Sequence, residues 1–230
     1  MPELMDLNAG TQRDVSATLN DIDRYNRFIG GTSFLRRYVF PRLRAGSHGQ
    51  VQRVLDVGCG AAGMALSVAA FGRREGVALT IIAMDLDSRS LVAARERTPA
   101  GSAVAFVRAD ASALPFRDKS IDLTFSTLLL HHLPPTAAEA SVSALLKVCR
   151  GSVLVNDLVR NTLAWWLFRM VSVLMATNNM SRLDGLTSIR RSYNPVELLS
   201  IFQRAGCDNA KIAEHPLFFR MTAIAEAESE

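Results

Sequence analysis

Residues 54–63 read VLDVGCGAAG, and this stretch decides the fold. The segment Val51–Val57 is rich in β-branched residues and ends in a glycine turn with the spacing GxGxxG, and an Ala-rich segment typical of a helix follows at Gly63–Phe71. Glycines at such a turn let the backbone bend tightly and approach a ligand closely. The stretch therefore predicts a strand, a ligand-binding turn and a helix, in that order.

The alternation of strands and helices continues beyond the turn. Apolar runs that predict strands lie at residues 79–84, 104–108, 121–126 and 152–156, and helical patterns lie at 88–97 and 135–149. This rhythm predicts a doubly wound α/β fold whose mostly parallel sheet is covered on both faces. Nearer the end, we expect a helix at about 195–206 and two strands at 210–214 and 218–224, and we predict no element in the polar stretch 177–193.

Composition narrows the function classes. The 230 residues carry a formal net charge of +4, and the arginines are scattered rather than clustered, so we expect no nucleic-acid surface. The three cysteines lack CxxC spacing, which argues against a disulfide framework and a zinc site. The first thirty residues have no apolar signal core, so we expect a cytoplasmic protein. We expect no metal, because no cluster of His and Asp with ligand spacing remains.

Carboxylates stand at the ends of the first three predicted strands. Asp56 lies two residues before the first glycine, where it would repel a pyrophosphate and favour a cation. Asp85 could accept hydrogen bonds from both ribose hydroxyls, a role that suits NAD equally well. Asp110 could accept from an adenine amino group. The turn alone fits NAD, FAD or S-adenosylmethionine (SAM), and Asp56 favours SAM.

Four motifs occur in a fixed order: VLDVGCGAAG, MDLD at 84–87, RADASALPF at 108–116 and IDLTFSTLLLHHL at 121–133. This series resembles class I SAM-dependent methyltransferases, and most closely those of ubiquinone and menaquinone biosynthesis. The resemblance implies a Rossmann-like seven-stranded sheet with the last strand antiparallel, and SAM as the cofactor. We assign to the SAM site Asp56, Gly58, Cys59, Gly60, Asp85, Leu86, Asp110, Ala111 and Thr127. Asp87 also could reach the ribose, and we prefer Asp85 because it ends the strand.

The chain divides at about residue 50. Residues 1–50 read as a helical arm, in which Asp23-Arg24-Tyr25-Asn26 and Phe34–Arg37 resemble the lid over the cofactor in that family. The resemblance implies that residues 51–230 form the methyltransferase domain. An apolar helix at about 162–176 is inserted after the fifth strand and is shorter than the roughly 20 residues of a membrane span. We predict that it covers an apolar substrate pocket, with core packing and interfacial membrane contact as alternatives.

A second, weaker resemblance concerns the substrate. DGLTSIRRSY at 184–193 resembles bacterial methyltransferases associated with type III polyketide synthases, which methylate phenolic oxygens. It implies O-methylation of a lipophilic aromatic small molecule that is polyketide- or quinone-like. We predict substrate contacts for Trp166, Met170, Arg190, Arg191 and Tyr193.

A phenol is a weak acid, so a base near neutrality helps the reaction. His131, after the fourth strand, and Asp157, after the fifth, are alternative candidates for this base. For His131 a structural role, in which it only bonds the backbone at the start of a helix, also stays open. C-methylation, a nicotinamide-dependent reductase and a non-catalytic SAM-fold partner protein are the competing functions. A homodimer also stays open.

Overall fold

The computed structural model describes residues 3–7, 9–46 and 49–226, without the side chains of residues 174 and 175. Within these residues the centre is a seven-stranded sheet with the order β3-β2-β1-β4-β5-β7-β6. The strands are β1 (Gln52–Val57), β2 (Leu79–Asp85), β3 (Val104–Arg108), β4 (Ile121–Thr127), β5 (Cys149–Leu158), β6 (Lys211–His215) and β7 (Arg220–Glu226).

The first five strands are parallel, and β7 runs antiparallel to both of its neighbours. This confirms the predicted Rossmann-like sheet with an antiparallel last strand. Because the carboxyl ends of β1, β2, β4 and β5 meet at one edge, the residues that follow Val57, Asp85, Thr127 and Leu158 are brought together there. The two last strands begin one and two residues later than the sequence predicted.

Helices cover both faces of the sheet. On one face α4 and the arm pack against the strands through Phe71, Phe125 and Phe34, and on the other face α6 and α9 pack through Leu145 and Phe202. The described helices are α1 (Gln12–Phe28), α2 (Gly31–Phe34), α3 (Phe40–Ala45), α4 (Gly63–Glu75), α5 (Ser88–Arg97), α6 (Pro135–Val148), α7 (Thr162–Met175), α8 (Asn179–Arg191) and α9 (Pro195–Arg204), with a π-helical turn at Leu35–Val39.

The arm is joined to the sheet by a buried cation. Arg220, at the start of β7, is 2% exposed. One of its terminal nitrogens donates to the side-chain oxygen of Asn156 in β5, and the other donates to that of Asn26 in α1, each at 3.0 Å. Arg220 of β7 therefore bonds α1 directly and links it to β5 through the same guanidinium.

Helix α8 occupies the polar stretch in which we predicted no element. Asn178 caps it, since its side chain accepts from the backbone N–H of Ser181 at 2.7 Å. A Cβ atom at Gly185 would lie 2.4 Å from the Phe168 ring, so the glycine allows α7 and α8 to pack closely. The assignment of no element to this stretch is corrected here. The Asn178 cap and packing against α7, rather than an apolar stripe, stabilise the helix.

Helix α7 has an exposed apolar outer face. Met170 is 70% exposed and Trp166 55% exposed, so core packing of the whole helix is excluded. No helix in the described part of the chain is long and apolar enough to cross a membrane. Contact of this face with a membrane surface or with a second copy stays a prediction.

Candidate cofactor and acceptor site

The glycine turn between β1 and α4 forms one wall of a cavity of about 1190 Å³. Gly58 and Gly60 have φ angles of 72° and 53°, in the left-handed region that side-chain-bearing residues rarely adopt. The backbone N–H groups of Gly58 and Cys59 donate to the carbonyl oxygen of Met84 at 2.8 and 2.9 Å. The turn is therefore held against β2 and presents its backbone to the cavity.

The third glycine of the motif, Gly63, marks the place where the arm meets the turn. A Cβ atom at this position would lie 2.2 Å from Oδ1 of Asp23, so only glycine lets α1 come this close. Asp23 forms an ion pair with Arg97 at 2.6 Å, which fixes α1 beside α5. The motif thus accommodates the arm as well as a ligand, and Asp23 itself lies in the cavity wall.

Two carboxyl groups face the cavity from the ends of β1 and β2. Asp56 is 1% exposed, and its Oδ2 has no hydrogen-bond partner among the described residues. Burial, and then repulsion from Asp85, raises the pKa of Asp56 to about 8. Burial also raises the pKa of Asp85, whose oxygens accept from the backbone N–H groups of Gly60 and Asp87 at 2.9 Å each. A cation bound beside the pair would relieve both costs.

The two candidate ribose ligands, Asp85 and Asp87, bond different partners. Asp87 is engaged as the N-cap of α5, because its Oδ1 accepts from the backbone N–H of Arg89 at 2.8 Å and its carboxylate pairs with the Arg89 guanidinium. Asp85 lies directly beneath the glycine turn through its bond with Gly60. Both carboxyl groups line the cavity, and the preference for Asp85 as the ribose ligand stays a prediction.

Seven of the nine residues that the sequence assigns to the cofactor line the cavity. These are Asp56, Gly58, Cys59, Gly60, Asp85, Leu86 and Thr127. Asp110 and Ala111 lie outside the cavity wall, and Asp110 caps the turn after β3, since its Oδ1 accepts from the backbone N–H and the hydroxyl of Ser112 at 2.8 and 2.7 Å. Their contact with the adenine stays a prediction.

Thr127 and Cys59 bring small side chains to the same wall. The Thr127 hydroxyl is buried and has no hydrogen-bond partner among the described residues, so it is available to a ligand. Burial, reinforced by the nearby Asp56 and Asp85, raises the pKa of the Cys59 thiol far above its usual range. The thiol is therefore neutral, and a nucleophilic role for Cys59 has no support.

A buried His–Asp pair lies at the carboxyl ends of β4 and β5. Nδ1 of His131 and Oδ1 of Asp157 are 2.6 Å apart, and the side chains are 3% and 2% exposed. Burial alone would raise the pKa of Asp157, but the charge and hydrogen bond of His131, together with backbone N–H groups, outweigh burial and lower it. An ionised Asp157 can only accept, so Nδ1 of His131 carries a proton, and Nε2 is the ring nitrogen that Asp157 does not engage. His131 lines the cavity.

The N-terminal segment, residues 3–7, forms a further part of the wall that sequence patterns did not reveal. Glu3, Met5 and Asp6 line the cavity. The backbone N–H groups of Leu4 and Met5 donate to the carboxylate of Asp184 in α8, at 2.7 and 3.2 Å. A segment held by its backbone in this way has no periodic pattern, so no local signal could have placed it here.

Glu3, His131 and His132 bring nitrogen and oxygen atoms within 4.8 Å of one another. The sequence argument that no cluster with ligand spacing remains is therefore corrected, because the fold brings Glu3 to the two histidines. The histidine rings, however, are already bonded: Nδ1 of His131 to Asp157, and Nδ1 of His132 to Asp6 at 2.8 Å. Carboxylate bonds at Nδ1 do not by themselves decide for or against a metal, and the expected absence of a metal stays a prediction.

The inner faces of α7 and α8 form an apolar wall. The side chains of α7 that line the cavity follow helical spacing on one face, and Gly185 and Ile189 of α8 lie beside them. The α7 residues are Ala164, Leu167, Phe168 and Val171.

The five predicted substrate residues lie outside this wall, and their contact with a substrate stays a prediction. Trp166 and Met170 lie on the exposed outer face of α7. Arg190 lies over the Trp165 ring at 4.4 Å, Arg191 pairs with Asp6 at 2.7 Å, and the Tyr193 hydroxyl donates to the Leu133 carbonyl oxygen at 2.6 Å. A helix that is apolar nearly all round does not show which face turns inward, and the three polar side chains are taken up by structural bonds.

Residues 54–151 match the family model described as a methyltransferase domain. The matched region runs from β1 into β5 and contains the glycine turn, both acidic strand ends and His131. No curated protein shows significant sequence similarity to the chain.

Solved structures of methyltransferases share the Rossmann-like fold of this chain. Human N-acetylserotonin methyltransferase in complex with SAM has a TM-score of 0.68 at 13% identity, over 95% of this chain and 57% of that one. Magnesium protoporphyrin IX methyltransferase of Synechocystis with bound SAH has a TM-score of 0.60 at 15% identity, over 87% of this chain and 84% of that one. The CMeT domain of the citrinin polyketide synthase has 0.58 at 17%, over 80% of this chain and 48% of that one. The chain thus spans about half the length of some of its structural relatives.

Class I methyltransferase domains use SAM as the methyl donor, and the residues present fit this molecule. SAM carries an ammonium group and a sulfonium but no phosphate. The unpaired Oδ2 of Asp56 and the raised pKa of Asp85 show two buried carboxyl groups that lack a cation. The turn at Gly58 has no room for a Cβ, which would lie 3.0 Å from Leu129, and its backbone is open to the cavity. A pyrophosphate would meet these carboxyl groups at close range, which argues against NAD.

Proposed function

We propose that this protein is a SAM-dependent methyltransferase that methylates a phenolic hydroxyl of a lipophilic aromatic molecule, with His131 as the general base. The observation that carries the proposal is the buried His131–Asp157 pair, which opens onto the same cavity as the glycine turn and its acidic residues. A nucleotide-type cofactor and a base at one cavity are what oxygen methylation requires.

When bound, SAM supplies an electrophilic methyl group on its sulfonium. In the proposed reaction the acceptor oxygen forms a bond to that methyl carbon while the S–CH₃ bond breaks, and S-adenosylhomocysteine leaves. The acceptor proton moves to Nε2 of His131. Asp157 keeps the proton on Nδ1 and stabilises the imidazolium that forms. Holding the acceptor in line with the methyl group contributes a large part of the rate.

The cavity supports an acceptor that is apolar and bulky. Its volume of about 1190 Å³ exceeds the roughly 300–1,000 Å³ of ordinary ligand pockets, so there is space for an acceptor beside a nucleoside. Leu167, Phe168 and Val171 offer aliphatic and aromatic surface on the acceptor side. Such a wall favours an aromatic ring with an alkyl substituent over a charged metabolite.

The test is methyl transfer from labelled SAM to a panel of alkylated phenols, with the methylated atom identified by mass spectrometry and NMR. We expect O-methyl products, and we expect His131→Gln to lower kcat by about 100-fold or more while the Kd of SAM is kept. His215→Gln, a histidine outside the cavity wall, is the matched control. Transfer to ring carbon alone would refute the O-methyl assignment, and SAM binding without transfer to any acceptor would favour a non-catalytic protein.

A further inference from the structure

The side chain of Glu3 enters the cavity beside the proposed base. Glu3 is 5% exposed, and its Oε1 lies 3.7 Å from Nε2 of His131. This separation is too long for a direct hydrogen bond. One oxygen atom placed about 2.8 Å from each of the two fits between them.

Specific bonds fix Glu3 in this position. Its Oε1 accepts from the hydroxyl of Ser188 in α8 at 2.7 Å. Directly after Glu3, the N-terminal segment is anchored to α8 by Asp184, which accepts from the backbone of Leu4, and by the ion pair of Asp6 with Arg191. A buried carboxyl group is costly, and here the chain uses several contacts to place it beside the free nitrogen of a histidine.

We propose that Glu3 is an acceptor-binding residue, which holds the acceptor hydroxyl between its carboxyl group and Nε2 of His131. The N-terminal segment thereby completes the acceptor site. The ligand class is an aromatic hydroxyl compound, and this inference rests on the proposed function. In its neutral form Glu3 donates a hydrogen bond to the acceptor oxygen, whose own proton points at His131.

The charges around Glu3 set the pH range of this arrangement. Asp6 lies on the same segment, Asp184 and Arg191 come from α8, and His131 and His132 come from the turn after β4. Burial raises the pKa of Glu3 to about 7, opposed by the charge of His132 and the bond from Ser188. Loss of the Glu3 proton leaves a carboxylate that repels a developing phenolate.

The pH profile of kcat/KM distinguishes this role from a structural one. In the wild type we expect activity to fall above about pH 7, where Glu3 is ionised. Glu3→Gln keeps a neutral donor of the same shape, so its activity should match the wild type at pH 6 and exceed it about 30-fold at pH 8.5, which is 1.5 units above the pKa of Glu3. Glu96→Gln, an exposed change in α5, is the matched control. An alkaline fall that persists unchanged in Glu3→Gln overturns the proposal.

A second variant tests the contact itself. Glu3→Ala should raise the acceptor KM and the acceptor Kd, measured by calorimetry in the presence of S-adenosylhomocysteine, about tenfold, while the Kd of SAM stays constant. An unchanged acceptor Kd in this variant overturns the proposal. If the proposed function is wrong, the wild-type protein transfers no methyl group to any phenol. The calorimetric comparison of wild type and Glu3→Ala then still decides whether Glu3 contacts a bound phenol.

Discussion

The substitution Asp157→Asn tests the base most directly. It keeps the volume of the side chain but replaces the buried carboxylate 2.6 Å from Nδ1 of His131 by a neutral amide. With charge centres about 4 Å apart and an effective dielectric constant of about 20, the carboxylate attracts the imidazolium by about 4 kcal/mol. The amide dipole retains part of this, and proton transfer is incomplete in the transition state. We therefore expect a loss of about 2.7 kcal/mol, which is about 100-fold in kcat.

The assay is a single-turnover measurement of methyl transfer from labelled SAM at saturating acceptor, which reports the chemical step. Asp122→Asn is the matched control, because this aspartate bonds Arg53 and Arg150 at the opposite end of the sheet. We expect the Kd of SAM to be the same in both variants. If Asp157→Asn keeps more than about a third of the wild-type rate while remaining folded, His131 does not act as a base oriented by Asp157.

Three other variants test the cofactor and acceptor walls. Asp56 has a pKa of about 8 in the free protein, so it holds a proton at pH 7 and must lose it beside a cation. SAM binding should therefore release about one proton in the wild type, and its affinity should rise from pH 6 to 8. Calorimetry in buffers of different ionisation enthalpy measures this proton, and it should show no such release for Asp56→Asn. Phe168→Ala removes apolar wall and should raise the acceptor KM about tenfold or more, whereas Met170→Ala on the outer face should not, and equal effects would contradict the face assignment. Asp110→Ala should weaken SAM binding about tenfold if it contacts the adenine, with the exposed Asp118→Ala as control, and an unchanged Kd removes that role.

The sheet and the cofactor side of the site were predictable from the sequence. Strands buried on both faces read as nearly continuous apolar runs, and the glycine turn joins two of them at a known edge. The turn and Asp85 are local features, so their residues could be named before the fold was known. His131 and Asp157 were named separately, because no pattern in one dimension shows that β4 and β5 bring them to 2.6 Å.

The acceptor side was not predictable to the same degree. Phe168 and Met170 both lie on an apolar helix, and only its packing against α8 determines which of them faces inward. Helix α8 itself depends on Gly185 and a cap rather than on an apolar stripe. Glu3 reaches the site through backbone bonds to α8, which leave no trace in the sequence pattern.

The bonds of Arg220 have a consequence for how the site opens. Moving α1 away from the sheet would strip a buried guanidinium of its bonds to Asn26 and Asn156, each worth about 1.5–3 kcal/mol for a charged donor. Amide hydrogens in α1 should therefore exchange with solvent only when β7 also unfolds, as one cooperative unit. In the part of the chain that the structure describes, residues 3–7 bond α8 and the turn after β4 but no strand. We therefore expect ligands to pass by local opening of that short segment, with amide exchange orders of magnitude faster than in α1.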